Sequence, residues 1–307
     1  LAWPASQSMV ATIVPSKIRP RYFGMNFALL NLGVGIGGII GGFVADVSRP
    51  VTFQVMYLVE ASSYLPALLL LLGPLRATGG PQHAARTSDH EEADAAGIGY
   101  LALLRRPGVL SLSLLSFVAA FIGYAQLNAG LPAYARAVSE VSTRGLGWAF
   151  AANTLVIVLL QLLVLRHIEG RRRTRVVVVM ALFWAVSWML LGATAWIPGT
   201  LGATLLVAGC ASVFALGETL LQPTVPAMVN DLAPDHLRGR YNALNSAAFQ
   251  GASVTGPPIA GLLIGHGLGG VWIGLLLAGV VLVVALSIFL VEPQLPDVAN
   301  GLPGQDS

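Results

Sequence analysis

Eight stretches of this chain are long and apolar enough to cross a bilayer. They lie at roughly 23–46, 51–73, 108–133, 146–166, 176–197, 200–222, 241–265 and 270–291. A helix needs about 20 mostly apolar residues to cross the hydrocarbon core at 1.5 Å each. Residues 1–14 read as the end of a ninth. Inside lipid every backbone N–H and C=O must be satisfied, so only helices or closed barrels span. No stretch shows the ten-residue alternation of a barrel strand. The expected fold is therefore an all-α membrane protein with about eight full spans and the end of a ninth. Composition agrees: 55% of residues are hydrophobic and only 10% are charged, where a soluble domain carries about 25% charged. This balance excludes a soluble enzyme or binding domain, and equally a disordered chain. The single cysteine, Cys210, and five scattered histidines offer no disulfide framework and no metal-ligand spacing.

Residues 76–106 break the apolar pattern. They are polar, rich in Gly and Pro, and acidic in the middle, which reads as a linker ending in a short amphipathic piece. The expected organisation is 1–75 as the remainder of an N-terminal half-bundle, 76–106 as a linker, 107–291 as a C-terminal six-helix half-bundle, and 292–307 as a disordered tail. Distributing the basic residues over alternate sides puts 14 Lys and Arg on one side and only Arg49, Arg136 and Arg144 on the other. Positive charge marks the cytoplasmic side, so both ends of the chain are expected in the cytoplasm, and the multi-pass protein in the inner (plasma) membrane. The basic excess then needs no nucleic-acid partner.

One offset, 219, relates two parts of the chain. Pro4, Arg19, Arg21, Asn26 and Gly37 correspond to Pro223, Arg238, Arg240, Asn245 and Gly256 without gaps. Two parallel copies of one unit are a transporter architecture. Applied to the start of the second half, the offset predicts about 110 further residues upstream and a protein of about 420 residues with twelve spans. This chain then reads as an N-terminally truncated fragment.

Three pieces of the chain resemble the major facilitator superfamily, in its bacterial, proton-coupled drug-exporter branch. The run from Gly33 to Gly42 looks like the antiporter motif G-x-x-x-G-P-x-x-G-G, with Gly33, Gly37, Gly41 and Gly42 in place and Gly38 where the family has Pro. Glu169-Gly170-Arg171-Arg172-Arg173 looks like the second-half echo of the family's basic loop. Gly217-Glu218, Pro223 and the run from Asp231 to Tyr241 are similar to the end of the family's tenth helix and the loop after it. The resemblance implies a two-half helical bundle and a gate at the basic end, formed by Glu169, Arg171, Arg172, Asp231, Arg238 and Arg240.

Candidate site residues are the polar groups inside spans, because an ionisable group in lipid is costly and functional by default. Glu60 is tenth in its 23-residue span, with Tyr57, Ser63 and Tyr64 on its face. Glu218 reads either as a proton or substrate group or, the favoured reading, as a structural partner of the basic cluster. Asn31 and Gln250 are repeat mates at one depth; Gln126, Asn128 and Asn153 add further polar groups. Phe121, Tyr124, Trp148, Trp184 and Trp188 could give a cavity aromatic walls. Pro132 should bend or end its helix. The Gly run should pack closely against a neighbouring helix.

No Walker loop, G-x-S-x-G or H-E-x-x-H occurs. The expected function is secondary transport by alternating access, as proton-coupled efflux of hydrophobic or cationic small molecules. It needs no cofactor beyond a proton gradient and a single full-length copy. The alternatives are uptake of a metabolite and a non-transporting sensor.

Overall fold

In a computed structural model, the structure describes residues 14–15, 18–44, 49–73 and 99–302. The described residues form helices and no strand. These are α1 (Arg19–Val44), α2 (Pro50–Leu72), α3 (Tyr100–Leu104), α4 (Val109–Ile122), α5 (Leu131–Ala137), α6 (Thr143–Ile168), α7 (Arg173–Ala193), α8 (Leu201–Leu232), α9 (Arg238–Gly265) and α10 (Gly269–Ala285). Six segments among the described residues are long and apolar enough to cross a membrane: Pro50–Leu70, Val109–Ala137, Thr143–Ile168, Arg173–Trp196, Leu201–Leu232 and Gly269–Gln294. The other two expected spans are helical as α1 and α9 but stand outside that set. Asn242, Asn245, Ser246, Gln250, Ser253 and Thr255 make α9 the more polar of the two. Residues 1–13 of the expected ninth span and most of the linker lie outside the described residues; the short helix before Arg105 is α3.

Contacts divide the chain into two units, Leu1–Asn31 with Gly99–Ser307, and Leu32–Ile98. The first turns of α1 belong with the C-terminal bundle because Phe23 is buried there and Gly24 meets α6 directly. A Cβ at Gly24 would stand 2.7 Å from Leu165 Cδ2 and 2.8 Å from Gln161 Nε2. In the second unit, none of the described side chains of α2 is buried.

Within the first unit α8 is the central helix, packed on α6 and α7, while α4 packs on α9 and α10 and α7 on α10. Ser142 and Thr200 cap α6 and α8, accepting the Gly145 and Ala203 N–H at 3.1 Å each. The core is aromatic. Trp184 stacks on Phe214 with ring centroids 4.6 Å apart, and Trp188 and Trp272 continue the cluster. Glycines make room for these rings: a Cβ at Gly123 or Gly217 would lie within 2.5 Å of Trp184, and one at Gly130 would lie 2.3 Å from Trp272. Trp184 and Trp188 are thus fully buried core, not cavity wall, and Trp148 is exposed.

The expected bend near Pro132 is a π-helical turn, Gln126–Gly130, followed by α5 with Pro132 in its first turn. The wide turn absorbs the hydrogen bond that proline cannot make.

The tail corrects the sequence reading. Residues 292–302 are ordered against the bundle, with Leu295, Ala299 and Asn300 buried. Their order comes from the start of α7, which has no side-chain cap of its own. Arg173 N–H donates to the Asn300 carbonyl at 2.8 Å, and Thr174 N–H donates to Asn300 Oδ1 at 3.0 Å. Glu292 adds ion pairs to Arg172 at 2.9 Å and Arg175 at 3.1 Å. The tail's place at the end of the chain suggested disorder; these long-range partners supply the order instead.

Candidate functional site

Two polar centres stand out in the bundle, one in its interior and one at its basic end. The interior centre is Glu218, eighteenth of the 32 residues of α8 and 3% exposed. Its Oε2 accepts the Asn153 amide from α6 at 2.7 Å, and Asn153 also donates to the Ala211 carbonyl at 3.1 Å. The Tyr124 hydroxyl lies beside the Glu218 carboxyl and accepts the Gln222 amide at 2.6 Å. Residues 218 and 222 are one helical turn apart, so both face Tyr124, just after α4, from one side of α8. About two turns along α6 from Asn153, Gln161 donates to the Thr219 carbonyl at 3.1 Å, while its Oε1 is buried without a partner among the described residues. The favoured expectation, that Glu218 pairs with the basic cluster, is corrected: its partner is an amide. The cluster lies 13 residues further along α8, about 20 Å at 1.5 Å per residue.

The second centre is Asp231, at the last turn of α8, with its side chain 2% exposed. Its Oδ2 accepts Arg173 Nη1 from the start of α7 at 2.8 Å, and its Oδ1 accepts Arg19 Nη1 from the start of α1. Arg173 also donates to the Ala299 carbonyl at 2.9 Å. Asp231 was expected in the gate, and Arg173 belongs to the arginine run Arg171–Arg175 expected to face it; Arg19 was not named for it. The repeat carried a signal for Arg19, which corresponds to Arg238. Nothing in the arginine run says which member turns inward, because that depends on where α7 begins. Among the other expected gate residues, Arg172 pairs with Glu292, and Arg238 pairs with Asp235 at 2.7 Å rather than across the bundle. Arg240 lies over the Tyr100 ring at 6.0 Å, and Glu169 and Arg171 are exposed.

The remaining candidates are not brought together. Asn31 donates to the Phe27 carbonyl of its own helix at 2.9 Å, and its repeat mate Gln250 is exposed. Gln126 is fully buried and structural: it accepts the Trp272 indole N–H at 3.0 Å and reaches the Gly256 carbonyl at 3.4 Å. Asn128 is exposed. Glu60 is exposed on α2, as are Tyr57, Ser63 and Tyr64; its carbonyl accepts the Ser63 hydroxyl at 2.6 Å. The expected close packing at Gly33 and Gly37 is not met among the described residues, where a Cβ at either would meet nothing within 4 Å. The counterpart of Gly37 in the second copy, Gly256, does pack closely: a Cβ there would stand 2.5 Å from Ala125 Cβ. The side chains at Gly38, Gly41 and Gly42 lie outside the described residues. Among the described residues no cluster of three or more His, Cys, Asp or Glu could hold a metal ion.

A helical bundle with a buried carboxyl inside it and a shared ion pair at one end invites comparison with known proteins. A chain segment 25% identical over 272 residues occurs in the uncharacterized MFS-type transporter YttB of Bacillus subtilis, covering 87% of this chain and 62% of that protein. The Na(+), Li(+), K(+)/H(+) antiporter of Planococcus maritimus is 25% identical over 271 residues, covering 81% of this chain and 61% of that protein. The chain thus spans about three fifths of the length of these relatives. Both are named as transport proteins, in keeping with the expectation of a transporter rather than an enzyme. The sequence model of the Major Facilitator Superfamily matches residues 1–214 and again 139–305. With that match over nearly its whole length, and with apolar helices able to cross a membrane several times, the chain belongs to the Major Facilitator Superfamily.

Proposed function

We propose that the whole protein is a secondary active transporter working by alternating access, which exports hydrophobic or cationic small molecules in exchange for protons. The observation that carries this reading is Glu218, a carboxyl midway along a membrane-spanning helix whose described partners are an amide and a phenol. An ionisable group at that depth is costly and marks the path of an ion or proton. Asp231 supplies a gate, since its two arginines come from α1 and α7 and tie separate elements together at one end of the bundle. The charge bias supports placing that end in the cytoplasm of a plasma-membrane protein. The two halves of one full-length copy suffice, and a proton gradient is the energy source.

The test is Glu218→Gln in the intact protein, in everted vesicles carrying a pH gradient and a fluorescent lipophilic cation. Gradient-driven accumulation is expected to disappear while downhill counterflow persists. Unchanged accumulation removes Glu218 from the mechanism, and Glu60→Gln run in parallel tests the other intramembrane carboxyl.

One observation favours a second reading, exchange of alkali cations for protons. The Planococcus maritimus relative is named for that activity, and the Glu218 carboxyl and the Tyr124 hydroxyl bring together oxygen atoms of the kind hard cations prefer. Collapse of the pH gradient on adding Na⁺, Li⁺ or K⁺ alone would select this reading over organic-cation efflux.

A further inference from the structure

A cavity of about 750 Å³ opens at the basic end of the bundle, between the first turn of α1, the last turns of α6, the start of α7 and the ordered tail. Its lining has two characters. Arg21, Arg166 and Arg171 stand on it with exposed side chains and make no ion pair among the described residues. Arg173 forms the back, already committed to Asp231 and the Ala299 carbonyl. Leu162, Leu165, Val176 and Leu302 form an apolar wall. Asp231 is saturated by two arginines, so Glu169 alone opposes the three rim guanidiniums. The tail makes this a built cavity rather than a charged surface. Gly301, at φ +85°, brings its backbone so close to Arg171 that a Cβ would stand 3.0 Å from the Arg171 carbonyl oxygen.

The two characters together specify the ligand. Guanidinium forks match phosphate oxygens and bind them bidentately. A small soluble anion would need no apolar wall, and a neutral lipid would need no guanidiniums. Basic pockets between membrane helices take anionic headgroups, with basic side chains each contributing at the membrane surface. We propose that this cavity is a binding site for an anionic phospholipid, with the phosphodiester on Arg21, Arg166 and Arg171 and the start of an acyl chain along Leu162 and Leu165. The bound headgroup would bridge α1, α6 and the loop before α7, the region already tied by Asp231, and so favour the latched arrangement.

The experiment reconstitutes the intact protein in nanodiscs of phosphatidylcholine with a minor fraction of phosphatidylglycerol, and measures by native mass spectrometry which lipid it retains. Phosphatidylglycerol should be retained preferentially, and its retention should fall about fivefold for each of Arg21→Gln, Arg166→Gln and Arg171→Gln. Arg105→Gln, outside the cavity, should change nothing. The triple Lys variant keeps charge and guards against misfolding; it should bind more weakly than the parent because the bidentate fork is lost. Equal retention of phosphatidylglycerol by the parent and the triple Gln variant overturns the proposal. So does displacement of the lipid by millimolar inorganic phosphate, which would make the ligand a soluble anion.

Discussion

A carboxylate that accepts from two arginines inside a protein is sensitive to the loss of any one member. Asp231→Asn would leave Arg19 and Arg173 facing each other without a counter-charge in a buried site. Breaking such a pair from one side costs about 3–5 kcal/mol. Thermal denaturation in detergent should show that loss, and an unchanged melting temperature would mean the arginines find other partners. Asn153→Leu should leave the Glu218 carboxyl without its amide donor, with a stability cost of about 1–3 kcal/mol and loss of gradient-driven transport; full activity would assign Asn153 to packing alone. At this scale the sequence was legible in type and not in pairing. Glu218 and Asn153 stood out as polar groups in apolar surroundings, and Asp231 through the family resemblance. That Asn153 meets Glu218, 65 positions away, depends on the crossing of α6 and α8, which no local pattern encodes. Arg173 was hidden among its neighbours for the same reason.

At the scale of elements, hydropathy identified the helices well because lipid leaves the backbone few alternatives. The ordered tail was missed because its stability is borrowed from α7. Truncation after Gln294 should therefore uncap α7 and remove an acceptor from Arg173, costing about 2 kcal/mol or more. Hydrogen exchange at the first turn of α7 would report it, and unaltered protection there would show the tail to be dispensable. The aromatic core rests on glycines in the same indirect way. Gly123→Ala forces its methyl into the Trp184 ring, and overpacking of this kind costs about 1–3 kcal/mol. Combining it with Trp184→Leu should recover part of the loss. If the double variant is no better than the single, the glycine serves the backbone and not the indole. The repeat located Gly256 as the mate of Gly37, yet only Gly256 is closely packed among the described residues, so equivalence in sequence did not carry over to equivalence in surroundings.

For the whole molecule, the unit boundary inside α1 is informative. Its first turns hold to the C-terminal bundle through Gly24 and Arg19, while the chain from Leu32 to Ile98 forms a unit of its own. Asp231 sits where those first turns meet the bundle, and its two partners differ in kind. Arg173 belongs to the same bundle as Asp231 and is fixed by the tail; Arg19 arrives from α1 and keeps a bond from its Nε to the Val14 carbonyl at 3.0 Å. If α1 draws away, as the proposed alternating access would require, the acid is not stranded, because one arginine stays behind. A gate built on a single pair would face the full cost of an uncompensated buried charge at each opening; this one exchanges three bodies for two. Arg173→Gln should remove that insurance and slow opening, measured as slower labelling of a cysteine placed at Arg19 Cα-adjacent position Pro20. Faster labelling would show Arg173 to be a second lock instead of a standby. In the proposed alternating-access cycle, the spare arginine would let the latch hold when closed and still release.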